Sequence, residues 1–238
     1  MAKEKSSGRP ALCLVPGLLC DAHVWGPQAA AFGGDYEIRI PELFAFRTIE
    51  AMAEHVLAQA PARFALCGHS MGGRVALEIV RRAPERVERL ALLDTGTHPA
   101  QPDERAKRMA LVELARSKGM AALADVWLPP MLHPGLPRDG ALMNGLRAMV
   151  GRMTPEIFDN QQTALLTRPD ARPVLAAIRC PTLIGVGRQD GWSPPARHEE
   201  IAAAIAGATL AIFEDCGHMA PLEAPDAVSA ALGAWLAA

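Results

Sequence analysis

The chain has 238 residues, half of them apolar but only 5% aromatic, with Lys+Arg 24 against Asp+Glu 26 and a formal net charge of −2. This length suits one domain, or one domain carrying an insertion, and its core needs no disulfide or metal staple. The balanced charge, free of long like-charge blocks, excludes the basic stripe of a nucleic-acid binder.

The opening MAKEKSSGRP is polar and lacks the apolar centre of a signal peptide. No apolar stretch reaches the roughly 18 residues of a membrane span, so a soluble cytoplasmic protein without a membrane partner is expected. Runs suited to strands follow at residues 11–15, 37–40, 64–67, 90–94, 182–187 and 209–213. Several are almost continuously apolar, as parallel strands buried on both faces must be. Helical patterns lie between them at 48–59, 71–83, 195–206 and 225–236, the second stopped by Pro84. Alternating β and α elements predict an α/β fold with a parallel sheet.

The alternation breaks between about His98 and Ala171, where helices are expected at 102–118, 120–127, 139–151 and 155–166 with no strand between them. Core residues are therefore expected at 1–97 and 171–238, with an all-helical cap at 98–170 inserted after the fourth strand. Six of the ten methionines fall in that cap (Met109, Met120, Met131, Met143, Met149 and Met153), which suits an adaptable apolar pocket. The five cysteines, Cys13, Cys20, Cys67, Cys180 and Cys216, form no C-x-x-C pair, so free thiols and no metal are expected. No Walker A loop, dinucleotide fingerprint or zincin motif is present, and no cofactor is implied. A net charge near zero resists self-association little, which is compatible with a homodimer.

The strongest local signal is Gly68-His69-Ser70-Met71-Gly72, a G-x-S-x-G pattern between an expected strand and an expected helix. A strand that reverses sharply into a helix leaves no room for Cβ atoms two residues either side of the apex. The apex serine is left strained and exposed at a helix N-terminus, where negative charge is favoured. A serine needs a base, and the base an orienting acid. His218, in Gly217-His218-Met219 just after the last strand, fits the base, and Asp190, just after the strand at 182–187, fits the acid. Asp94, ending the strand at 90–94, is the rival acid, while Asp215 has little reach. Two backbone N–H groups should form an oxyanion hole: Met71 after the nucleophile, and Leu18 in the loop 16–20, where Gly17 allows the tight turn.

With these pieces in place, the sequence resembles the α/β-hydrolase superfamily of serine hydrolases. The resemblance rests on Leu14-Val15-Pro16-Gly17, Gly68 through Gly73, Gly187 through Asp190, Gly217-His218, the stretch 81–87 and the ending 221–225. It covers essentially the whole chain outside the cap. Pro16 stands where many members have His, and the ten residues before the first strand leave no space for two extra antiparallel strands. An all-parallel sheet of six strands is therefore expected. The resemblance implies a cofactor-free hydrolase of a small carboxylic ester, lactone or related acyl compound, with a mostly apolar pocket under the cap. Gly17, His69, Arg74, Trp192 and Met219 are the expected substrate contacts. Arg74 follows Ser70 by one helical turn, and Ser70-Met71-Gly72-Gly73-Arg74 is similar to a menaquinone-pathway lyase branch of the superfamily, implying an arginine that grips a carboxylate. Arg74 could equally face solvent or pair with Glu78, and Arg147 and Arg152 are further candidates for an anionic substrate. Lyase chemistry on the same triad, and a silent ligand-binding protein on the same scaffold, are the alternatives.

Overall fold

The computed structural model describes residues 8–238; residues 1–7, which hold most of the polar opening, lie outside the described residues. Each apolar run becomes a strand: β1 (Ala11–Val15), β2 (Glu37–Arg39), β3 (Phe64–His69), β4 (Val87–Leu93), β5 (Thr182–Gly187) and β6 (Thr209–Phe213). They form one six-stranded sheet in the order β2-β1-β3-β4-β5-β6, with every neighbouring pair parallel. β1, β3 and β5 are buried along their whole length, which is why their sequences are apolar without alternation. The edge strands β2 and β6 are shorter of cover and carry the polar positions.

Helices fill the connections: α1 (Gly26–Phe32), α2 (Ile49–Gln59), α3 (Met71–Arg82), α4 (Glu104–Trp127), α5 (Ala141–Gly151), α6 (Pro155–Leu166), α7 (Arg172–Leu175), α8 (Pro195–Ala204), α9 (Ala220–Glu223) and α10 (Pro225–Ala237). α2 and α3 pack together, as do α1 and α10, while α8 packs on β5 and β6. The sequence patterns did not mark α1, α7 and α9, which are short and held by their neighbours more than by their own periodicity. The two helices expected at 102–118 and 120–127 meet as α4, and Gly119, at φ 83° and ψ 171°, breaks the helical path between them.

α4, α5 and α6 all lie between β4 and α7, and the ends of this segment meet: Ala171 N–H donates to Thr97 O at 2.9 Å. Met120, Met131, Met143, Met149 and Met153 are all buried within the packed interior. All five cysteines are free, and burial pushes the Cys13 and Cys20 thiols up to about 12, leaving them protonated and unreactive. Among the described residues no helix is long and apolar enough to cross a membrane, and no cluster of three metal-binding side chains occurs.

The chain order reverses between β1 and β3: from β1 it steps outward to β2, then returns to the far side of β1. A crevice opens at the carboxyl ends of strands at such a switch point, and residues just beyond β1, β3, β5 and β6 converge there. Close approach of three segments fixes this corner. A Cβ on Gly72 would stand 2.2 Å from Val15 O, and one on Gly68 would stand 2.3 Å from Gly72 O. Gly72→Ala should therefore lower stability by about 3 kcal/mol or more, since rigid backbone must move. Gly151→Ala, in a helix with nothing within 4 Å, should leave stability unchanged or raise it. Urea unfolding of both variants measures the difference.

Candidate active site

Ser70 sits between β3 and α3 with φ 55° and ψ −116°, a conformation costly for any residue with a Cβ. Three bonds hold it there. Ser70 N–H donates to Leu93 O at 2.9 Å, while Ser70 O accepts from Gly73 N–H at 3.0 Å and from Thr95 Oγ1 at 2.6 Å. Thr95 is itself fixed: its N–H donates to Nε2 of the buried His198 at 2.9 Å, and its carbonyl accepts from Ser193 Oγ. Neither Thr95 nor His198 carries a local sequence signal beyond its place after β4 or in α8.

The side chain of Ser70 meets His218. Ser70 Oγ lies 2.8 Å from His218 Nε2, and His218 Nδ1 lies 2.8 Å from Asp190 Oδ2. Asp190 Oδ1 accepts the N–H groups of Trp192 and Ser193, both at 2.9 Å, so the carboxylate is oriented from behind. With Nδ1–H donated to the carboxylate, Nε2 presents its lone pair to the serine hydroxyl. The loops after β5 and β6 reach this register because they pack without side chains. A Cβ on Gly187 would stand 2.0 Å from Gly217 O. The helical segment also grips the histidine, since His218 N–H donates to Met131 O at 2.6 Å.

His69 and Asp94 are buried behind this triad. His69 Nε2–H donates to His218 O at 2.8 Å, and burial, followed by the His218 charge, lowers its pKa to about 3. Asp94, the rival acid, does not reach His218. Its Oδ1 accepts from Gly187 N–H at 2.9 Å and its Oδ2 lies 3.8 Å from His69 Nε2. Burial first, and the charge of Asp190 second, raise its pKa well above the carboxylate range, so Asp94 keeps its proton beyond the pH at which a free carboxyl releases it. Asp215 is exposed and serves the turn after β6, at φ 52°.

Loop 16–20 approaches the serine from β1. A Cβ on Gly17 would stand 2.9 Å from His69 Nδ1 and 3.2 Å from Ser70 Cβ. Gly17 therefore does not line the cavity, as expected of a substrate contact; its role is to let the loop press against the nucleophile. Cys20 N–H closes the turn onto Gly17 O at 3.2 Å, and Leu19, at φ 57°, donates its N–H to Gln161 Oε1 at 2.9 Å. These bonds leave Leu18 N–H out of the loop's own pairing. Met71 is the first residue of α3, where N–H groups have no partner within the helix. Leu18 and Met71 both face the cavity beside Ser70.

That cavity has a volume of about 990 Å³ and takes in Leu18, His69, Ser70, Met71, Arg74, Trp192, His218 and Met219 from the expected set. Its character differs from the apolar pocket expected under the cap. Trp127, Met131, Leu165 and Met219 make one apolar wall, but Arg74, Arg108, Arg168 and Glu104 make another, and of the six methionines in the helical segment only Met131 lines it. The long-range pairing of α4 with residues 162–168 builds the charged wall, and no local pattern marks such pairing. Glu104 holds Arg168 at 2.7 Å and Arg108 at 2.5 Å, and Arg108 also donates to Gln162 Oε1 at 2.6 Å.

Arg74 is different. Among the described residues its one hydrogen bond is to His98 O at 2.9 Å, while Glu78 is taken by Arg81 and Arg82. Burial, then Arg168, lowers its pKa to about 9, so it stays cationic at neutral pH. Arg147 and Arg152 play no part: they pair with Asp125 and Asp21 and lie outside the cavity. Trp192 stands at the rim, its ring 6.0 Å from Trp127 and 5.9 Å from His218.

Residues 10–231 match the model of the Alpha/beta hydrolase family. The chain is 28% identical over 237 residues to a pimeloyl-[acyl-carrier protein] methyl ester esterase of Aromatoleum aromaticum, covering 92% of this chain and 94% of the relative. A thermophilic esterase from Thermogutta terrifontis, solved with malate bound, superposes with a TM-score of 0.87 at 28% identity, over 97% of this chain and 90% of that one. The enol-lactonase from Burkholderia xenovorans LB400 gives 0.86 at 27% identity, over 99% and 94%.

The neutral state of Asp94 has a measurable sign. Its folded pKa is raised, so the unfolded chain releases this proton at about pH 4 while the folded chain retains it. Stability is therefore lost as pH rises through and above that range. Asp94→Asn, a neutral replacement, should remove this loss: its stability relative to wild type should grow from pH 4 to pH 7 in urea unfolding.

Proposed function

This chain belongs to the alpha/beta hydrolase family, and we propose that within it the protein is a cofactor-free serine hydrolase of a small carboxylic ester or lactone. The carrying observation is the unbroken line of 2.8 Å hydrogen bonds from Ser70 through His218 to Asp190. In the proposed reaction His218 Nε2 takes the hydroxyl proton as Ser70 Oγ attacks the substrate carbonyl. Asp190 holds the imidazole tautomer and supports the imidazolium that forms. The N–H groups of Leu18 and Met71 stabilise the oxyanion, aided by the N-terminus of α3. His218 then protonates the leaving alcohol or enol oxygen, leaving Ser70 acylated. Water, deprotonated by His218, attacks the acyl-enzyme and releases the acid. The names of relatives, an ester cleaved in one and an enol-lactone in another, support this class of reaction.

The substrate we propose carries an anionic group, most simply a carboxylate. Arg74 supports this: a half-buried cation on the cavity wall whose one hydrogen bond among the described residues goes to a neutral carbonyl has donors left for an anion. This differs from the mostly apolar pocket that the family resemblance implies. Arg74 also favours a second reading, in which Ser70 and His218 remove a proton in an elimination on an anionic substrate. The complete proton path argues against a silent binding protein.

A fluorophosphonate probe should label wild type at Ser70 and leave Ser70→Ala unlabelled; a folded wild type that resists labelling would sink the serine mechanism. A burst of p-nitrophenol from a short-chain ester should appear, whereas a lyase would show none. Asp190→Asn should lower kcat by about 10⁴-fold through loss of the productive tautomer. Arg74→Ala should raise KM by about 10- to 100-fold for esters bearing a carboxylate, the scale of one charge-assisted hydrogen bond, and leave neutral esters nearly unchanged.

A further inference from the structure

Gln161 lies in α6, far along the chain from the loop after β1, and is fully buried. Its amide is used at both ends. Oε1 accepts Leu19 N–H at 2.9 Å, and Nε2 donates to Leu43 O at 3.2 Å. A buried glutamine that bridges two loops can be merely a satisfied core residue. What it holds here is more particular. Leu19 is a leucine in the left-handed region, at φ 57°, and it directly follows Leu18. Such a conformation persists only when its surroundings fix it.

We propose that Gln161 is a positioning residue for the oxyanion hole, fixing Leu19 and with it the turn from Gly17 to Cys20, whose Gly17–Leu18 peptide presents Leu18 N–H to the reacting carbonyl. This rests on Leu18 being the donor assigned above. Without an acceptor, the buried Leu19 N–H is left unpaired, a state that buried backbone avoids. The nearest escape is rotation of the Leu18–Leu19 peptide, which returns Leu19 to negative φ. Leu18 and Leu19 are the two residues inside the turn closed by Cys20 N–H on Gly17 O, so a change in their dihedral angles loosens that turn and with it the Gly17–Leu18 peptide that carries Leu18 N–H. The helical segment thereby contributes to the chemistry without touching the substrate there. Outside, Arg47 ties α6 to the core by a different route, donating to Asp159, Asn160 and Thr163. It separates the two roles, because its loss loosens α6 but leaves the Gln161 acceptor in place.

Gln161→Leu should lower kcat by roughly 10- to 100-fold, less than the ~10²–10³ of removing a donor outright, with KM within about threefold. Affinity for an alkyl boronic acid, whose tetrahedral adduct on Ser70 places an oxygen in the hole, should fall by the same factor as kcat/KM. Gln161→Glu should recover most of the rate, because burial keeps the carboxyl protonated and it offers the same acceptor and donor. Arg47→Ala should leave both readouts near wild type. The proposal fails if a folded Gln161→Leu keeps kcat and boronate affinity within threefold of wild type, or if Arg47→Ala lowers them equally. Should Gln161→Leu not fold, amide exchange in wild type decides: Leu19 N–H is protected if the bond is held, and exchange at the rate of exposed loop amides overturns it. A wild type inactive towards both ester and fluorophosphonate would instead overturn the hydrolase assignment, a separate result.

Discussion

The structure depends on how closely three backbone segments approach one another at the end of β3. Gly72 lies against Val15 O and Gly68 against Gly72 O, at separations that admit no side chain. This approach forces the chain to turn from strand to helix within one residue, and Ser70 takes the strained geometry that results. Strain of this kind is retained only by a rigid frame. Here the frame is a parallel sheet whose middle strands are buried throughout, together with bonds from Leu93, Gly73 and Thr95 to the Ser70 backbone. The same economy of side chains recurs at Gly187 against Gly217, where the acid and base loops are drawn together. Ser70 and His218 are thus placed by backbone packing, and the side chains complete what that packing arranges.

Much of this is legible in sequence because it is local. The elbow is a five-residue pattern, and Asp190 and His218 each follow a strand marked by its own apolar run. The same logic favours Asp190 and keeps Asp94 as its rival, since both follow strands; the fold separates them, turning Asp94 towards Gly187 and His69. Gln161 and Thr95 escaped notice because their partners, Leu19 and Ser70, are distant in sequence. A faint signal did exist: Gln161 interrupts the buried stripe of Phe158 and Leu165 at helical spacing. The expectation of an apolar pocket failed for a similar reason. Methionine composition reports what a segment contains, but the cavity wall is set by which face of α4 meets residues 162–168.

Electrostatics at the site are more differentiated than a net charge of −2 suggests. Behind Ser70 and His218, burial disfavours charge on both His69 and Asp94, and Asp190 is the carboxyl that reaches His218 Nδ1. Across the cavity, Glu104 engages Arg108 and Arg168, and among the described residues Arg74 bonds only to the His98 carbonyl. One side of the cavity thus holds the Ser70–His218–Asp190 hydrogen bonds, while the other carries the arginine side chains. This separation keeps the arginine charges away from the imidazole.

The bond between Ala171 N–H and Thr97 O has a consequence for how such a molecule can change over generations. The three long helices leave and rejoin the sheet through a single doorway, so the segment can lengthen, shrink or be exchanged without shifting the register of any strand. The core nonetheless sets terms for whatever fills that place. A replacement must present an acceptor to Leu19 N–H, as Gln161 does, and a carbonyl to His218 N–H, as Met131 does. It must also offer an N–H to Glu223, as His133 does at 2.7 Å. At these three places the helical segment and the loops around Ser70 form one hydrogen-bonded unit.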